Sequence, residues 1–158
     1  MKRSIFIVLA IVIGTVAFAQ PGNSSMVKLL NPPSLATPNG YSHVAEIDLG
    51  TCRMLILSGQ VALDKEGNLV GKDDLAKQTD QVFQNIQHIV TNSGGTMKEV
   101  VKLSYFIRDV SQIKKVREIR DKYINIQIPP ASTLVEVSKL FREDILIEIE
   151  ATAIIPKR

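Results

Sequence analysis

The chain has 158 residues, 19 Lys+Arg against 16 Asp+Glu, and a formal charge of +3. That length fits one domain, and 45% hydrophobic with 22% charged residues excludes a disordered polar tail. Aromatic residues are 5% with no Trp, which supplies a base-stacking nucleic-acid platform poorly, and the lone Cys52 excludes an internal disulfide framework or a cysteine-cluster zinc site. Two histidines, His43 and His88, argue against a histidine-built metal centre, so no metal is expected.

The chain opens with Lys2 and Arg3, runs apolar from Ile5 to Ile13, and reaches Ala17-Phe18-Ala19. A short basic region, an apolar stretch and a small-x-small end form the pattern of a secretory signal cleaved after Ala19. The apolar stretch falls short of the ~20 residues that span a bilayer comfortably. The expected mature protein starts at Gln20, is periplasmic or secreted, and keeps no membrane attachment; an uncleaved anchor helix is the alternative. Its charge balance is then +1, so the basicity belongs partly to the signal and gives no hint of nucleic acid.

Residues 20–36 read as a flexible lead-in before a domain over 37–158. Pro21, Pro32, Pro33 and Pro38 prevent a regular helix there, and a short strand is expected around Met26 to Leu30. Tyr41 to Leu49 and Cys52 to Val61 are strand-like, joined by Gly50-Thr51. Ser58-Gly59-Gln60 interrupts the second; a glycine inside a strand marks a bulge or a close backbone approach. Asp73 or Asp74 caps a helix of about 18–20 residues with a stripe at Leu75, Val82, Phe83, Ile86, Ile89 and Val90, stopped by Asn92-Ser93-Gly94-Gly95. Val100 to Ile107 is a strand. Asp109 or Ser111 caps a second helix with Ile113, Val116, Ile119 and Tyr123 inward. Thr133 to Val137 and Ile145 to Ile155 are the last strands.

The order ββαβαββ predicts an α+β domain: one mixed sheet with both helices on one face. In the final strand the odd positions Ile145 to Ile155 are apolar, while the even ones mix Leu146, Glu148, Glu150, Thr152 and Ile154. A half-apolar open sheet face is an assembly surface, so an oligomer is expected.

No Ser-His-Asp order, phosphate loop, dinucleotide glycine fingerprint or HExxH motif is present. Gly94-Gly95 reads as a helix stop, Asp73-Asp74 as a cap, Cys52 as a small core residue, and His88 as solvent-exposed. His43, next to Tyr41, is a minor candidate. Glu148 and Glu150 are the main local candidates, because a carboxylate on a partly buried face must be paired or protonated, and a raised pKa makes a proton carrier.

A larger pattern accompanies these residues. Tyr41-Ser42, Ser58-Gly59-Gln60, Gln78-Thr79 to Asn85-Ile86, Val101 to Asp109, Pro130 to Val137, and Ile147 to Ala153 occur in that order. Together they resemble the RidA/YjgF family of reactive-intermediate deaminases, over about Lys28 to Ile155. The resemblance implies a chorismate mutase-like fold and a homotrimer with small-molecule clefts between subunits. It implies hydrolysis of imino acids to 2-oxo acids and ammonia, without a cofactor. In the family an arginine grips the substrate carboxylate by a two-pronged contact, and a glutamate on the last strand orients the water.

Aligned this way, Glu148 falls at the water-orienting glutamate, and Tyr41, Ser58 and Gly59 match the cleft lining. Ser132 stands where the arginine belongs, Leu134 where a cysteine is frequent, and Arg117 where an asparagine is frequent. Losing a charge-assisted contact worth ~1.5–3 kcal/mol lowers carboxylate affinity ~10–100-fold. Arg117 and Arg142 are the candidates for a substitute cation. Two readings follow. One is an imine or enamine hydrolase with Glu148 orienting water and Ser132, Thr133 and the Gly59 N–H holding the substrate. The other is a non-catalytic trimer that binds a metabolite in the same clefts.

Overall fold

The structure, a computed structural model, describes residues 26–157. The signal expected at 1–19 and the start of the lead-in lie outside the described residues. Six strands form one mixed sheet: β1 (Val27–Leu30), β2 (Val44–Asp48), β3 (Cys52–Gln60), β4 (Val100–Ile107), β5 (Ala131–Glu136) and β6 (Ile147–Pro156). Among the described residues, two α-helices, α1 (Leu75–Asn92) and α2 (Ile113–Arg120), accompany the sheet. The strand order is β1-β2-β3-β6-β4-β5. Only β4 and β5 run parallel, with α2 in the crossover between them; every other neighbour pair is antiparallel.

The α+β architecture is the expected one, with β1 a full member of the sheet paired along β2. Asp74 caps α1 by accepting from the Lys77 N–H at 3.1 Å. Asp109 caps a 3-10 turn over Val110–Gln112 that leads into α2. The first hairpin strand starts at Val44 rather than Tyr41. Gly40 turns the chain at φ 79°, and the His43 N–H goes to the Asn31 side chain at 2.9 Å, so the chain before Val44 is tied to a loop instead of a strand. The last strand starts at Ile147 rather than Ile145, because buried Gln78 takes the Leu146 N–H on its Oε1 at 2.8 Å.

The core lies between α1 and the sheet. Val82, Phe83, Ile86, Ile89 and Val90 meet Leu55, Leu57, Leu103, Ile147, Ile149 and Ala153, all buried. On α2, Val116 is buried and Ile113 and Ile119 pack partly buried against this core; Tyr123, expected on the same helix, packs there from the turn after Arg120. The odd positions of β6 point to the helices, and its even positions point away, as the alternation requires.

Register fixes what the open face carries. One cross-strand row runs Leu29, Ala45, Ile56, Thr152, Lys102. The next rows pair Glu150 with Ser104 and Thr133, and Glu148 with Phe106 and Val135. Leu29 is 67% exposed and Ile56 46%. Among the described residues, nothing covers this half-apolar face in the single chain.

Candidate functional site

Glu148 projects from β6 onto the open face, beside the irregular end of β3. Leu57 pairs with Ala151 and Gln60 with Ile149, so β3 spends three steps where β6 spends two. The extra residue is the bulge that Ser58-Gly59 predicted. A Cβ on Gly59 would lie 2.7 Å from the Glu148 carboxyl carbon and 2.9 Å from its Cγ. Glycine at 59 is thus what lets the carboxylate lie against the β3 backbone, the second of the two expected roles for it.

Around this contact lies a cavity of about 550 Å³, lined by Thr37, Asn39, Tyr41, Ser58, Gly59, Val61, Leu63, Phe141 and Glu148. Ser58 is fixed by its hydroxyl, which donates to the Ser42 carbonyl at 2.7 Å, and by its N–H, which donates to the His43 carbonyl at 3.0 Å. Tyr41 stands half in solvent and meets the His43 ring edge-on at 5.4 Å. His43 is buried, with Nε2 2.7 Å from the Ala36 carbonyl and Nδ1 unpartnered. Its place is to hold Tyr41 and the Pro-rich loop together, beside the cavity rather than in its wall.

The carboxyl of Glu148 is held above the ordinary carboxylate value, first by burial and second by the negative charge of Glu150. No hydrogen bond or ion pair from the described residues satisfies it. The Tyr41 phenol is raised too, first by burial and then by the charge of Glu148. A half-buried carboxylate of raised pKa, with free lone pairs and a hollow in front of it, can take a proton from a water and return it.

Four predicted site residues thus meet: Tyr41, Ser58, Gly59 and Glu148. The others do not line this cavity. Thr133 accepts from the Lys102 ammonium at 2.5 Å on the same face, two strands away from β6. Ser132 and Leu134 pair with Leu103 and Tyr105, so they point to the opposite, helix-bearing face. Arg117 is exposed on α2. The fork of Arg142 is occupied by Asp144, with Nε at 2.9 Å and Nη2 at 2.6 Å from its two oxygens. Glu150 is exposed and lines an adjoining hollow of about 750 Å³ with Lys102, Ser104 and Ile56. Among the described residues, no three metal-ligating side chains gather.

Reasoning from the sequence missed Thr37, Asn39, Val61, Leu63 and Phe141. The first two sit at the start of the expected domain, ahead of its first strand, where no element or motif was assigned; Asn39-Gly40 was the available signal. Phe141 is an exposed aromatic in a charged loop, and that oddity was its only mark.

The comparisons agree with this geometry. Residues 33–155 match the family model described as Endoribonuclease L-PSP. A 2-iminobutanoate/2-iminopropanoate deaminase of Salmonella typhimurium is 30% identical over 133 residues, covering 83% of this chain and 98% of that protein. The 3-aminoacrylate deaminase RutC of Acinetobacter baylyi is 33% identical over 122 residues, covering 77% and 90%. The crystal structure of the YjgF gene product of Escherichia coli superposes with a TM-score of 0.69 at 28% identity, over 83% of this chain and 99% of that one. With the sheet order, the Glu148–Gly59 contact and these matches in hand, the chain is placed in the RidA/YjgF family, the group the Endoribonuclease L-PSP model covers.

Proposed function

We propose that this protein hydrolyses the C=N bond of a small imine or enamine, with Glu148 as the group that orients and deprotonates water. The observation that carries the reading is the unpartnered Glu148 carboxylate facing a cavity shared with Tyr41 and Ser58. Water adds to the imine carbon as Glu148 accepts its proton. The proton passes to nitrogen, the C–N bond breaks, and ammonia leaves a carbonyl product. The protein's own groups suffice, so no cofactor is required. The names of the two deaminase relatives support the same chemistry for this chain. An endoribonuclease reading fits less well, because Glu148 and Glu150 share the open face and repel a phosphodiester.

In the working assembly, three copies would join through their open faces. The cavity of one copy would then be closed by its neighbour. The N-terminal pattern from Lys2 to Ala19 supports export of this trimer. A second reading, a trimer that binds a metabolite without turning it over, is favoured by Ser132. It is a neutral, exposed residue where the family resemblance puts an arginine.

The test generates imines in situ with an amino-acid or amine oxidase and reads the loss of semicarbazide-trapped product. Acceleration by the protein, reduced about 10²–10⁴-fold in Glu148→Gln, is the expected result for a positioned general base. No acceleration of any imine by the native protein, with activity appearing in Ser132→Arg, would establish the binding reading instead.

A further inference from the structure

The cavity that holds Glu148 has an unusual charge. Glu148 is the only charged side chain in its wall among the described residues; the rest is neutral or apolar. Lysines line the adjoining hollows, Lys65 in one and Lys102 in the other, and neither lines this one. Arg142, next to the rim residue Phe141, is held by Asp144 through both oxygens. Arg117 lies on the helix-bearing side of the fold. A carboxylate entering this cavity would face another carboxylate and meet no cation from the described residues of the same chain. An ammonium or iminium group would find an unpaired anion of opposite sign.

The walls fit the rest of such a ligand. Tyr41 is 49% exposed and Phe141 68% exposed, and both line the same hollow. Val61 and Leu63 add aliphatic surface there. Aromatic faces attract cations and bury apolar substituents. From this juxtaposition we infer that the cavity takes a cationic iminium with an apolar or aromatic substituent and no carboxylate, the product of oxidising a primary amine. The inference rests on reading the cavity as a C=N site and names its substrate class. The reaction balances without a further reagent: RCH=NH2+ and water give RCHO and NH4+. The water oxygen bonds to carbon, and nitrogen leaves with the C–N electrons. A reaction that oxidises amines must precede it, and aldehyde consumption must follow.

Two binding probes share one skeleton and differ in charge: phenethylamine as its ammonium, and hydrocinnamate as its carboxylate. Calorimetric titration of the full chain should show the ammonium bound about 10–100-fold more tightly, the span of one charge-assisted contact. Glu148→Gln should erase that preference. Phe141→Ala, at an exposed position that cannot unfold the core, should weaken the ammonium while keeping the sign. Hydrocinnamate binding as tightly as the ammonium, or neither probe binding, would overturn the inference. Turnover separates the two proposals: the imine made from phenethylamine by an amine oxidase should be hydrolysed faster than the imino acid made from phenylalanine. Faster hydrolysis of the imino acid would overturn the substrate class and keep the hydrolase. Ammonium binding that depends on Glu148, with neither imine accelerated, would keep the charge preference and overturn the hydrolase.

Discussion

At the scale of single residues, Glu148 and Gly59 form one device. The carboxylate lies against a backbone that has no side chain there, so it is desolvated on one side and open to the cavity on the other. Desolvation raises its pKa, and the exposed Glu150 on the same face adds to the effect. The sign of the consequence for stability follows. A carboxyl whose folded pKa exceeds its unfolded one binds its proton more tightly in the fold. Its contribution is full below the unfolded value and is lost as pH rises through the folded value. Glu148→Gln, neutral at every pH, should therefore gain on the parent as pH rises from about 4, near the ordinary carboxylate range, toward neutrality. Urea midpoints of the two proteins at both ends of that range measure it. In a Glu150→Gln background the gain should shrink, since one of its two causes is gone. A gap that does not change with pH would mean that the Glu148 carboxyl is not perturbed by its burial.

At the scale of elements, the question is what presents β6 so that Glu148 meets the bulge. Fully buried Gln78, on α1, is the clamp. Its Nε2 donates to the carbonyls of Asp144 at 2.8 Å and Gly71 at 3.2 Å, and its Oε1 accepts the Leu146 N–H. One amide thus ties the first helix to the lead into the last strand. Gln78→Leu keeps the volume and leaves these backbone groups buried without partners, which should cost about 2–4 kcal/mol in denaturant unfolding. The loss should exceed that of Asp74→Ala, about 1 kcal/mol for a helix cap. A smaller loss for Gln78→Leu would show that water or a rearranged loop satisfies the β6 lead-in.

This clamp also shows what the sequence made legible. The α1 stripe and the β6 alternation are local periodicities, so helix, strand and inward face could be read directly from Leu75 to Val90 and from Ile147 to Ile155. Gly59 could be read as a bulge or close approach because both uses leave the same mark, a glycine inside an apolar strand. Gln78 appeared only as part of the family resemblance, since its partners lie at the far end of the chain. Asn39 and Phe141 reach the cavity through loops, and loop residues carry no period. Ser132 and Glu148 were read as one site, yet the parallel register of β4 and β5 sends Ser132 to the other face of the same chain.

At the scale of the whole molecule, that separation has a consequence. Within one copy the two halves of the family-type site cannot meet, so a site containing both requires a neighbour. The open face offers the surface for one: Leu29 and Ile56 lie exposed in one cross-strand row with Ala45 and Thr152. Burying such a face is worth about 25 cal/mol per Å² of apolar area, and a closed ring repeats the gain at each contact. The same repetition makes the face sensitive to charge. Ile56→Arg places one guanidinium per copy, three around a common axis, in a row that already carries Lys102. Like charges brought together in a partly dry interface repel strongly. Light scattering after size exclusion should find the native protein with three times the mass of its chain and Ile56→Arg with the mass of one. Circular dichroism should be unchanged, because Ile56 lies on the face away from the core. A native protein that is a monomer at micromolar concentration would overturn the trimer. A trimeric Ile56→Arg would move the interface off this face, and with it the closure of the Glu148 cavity by a neighbour.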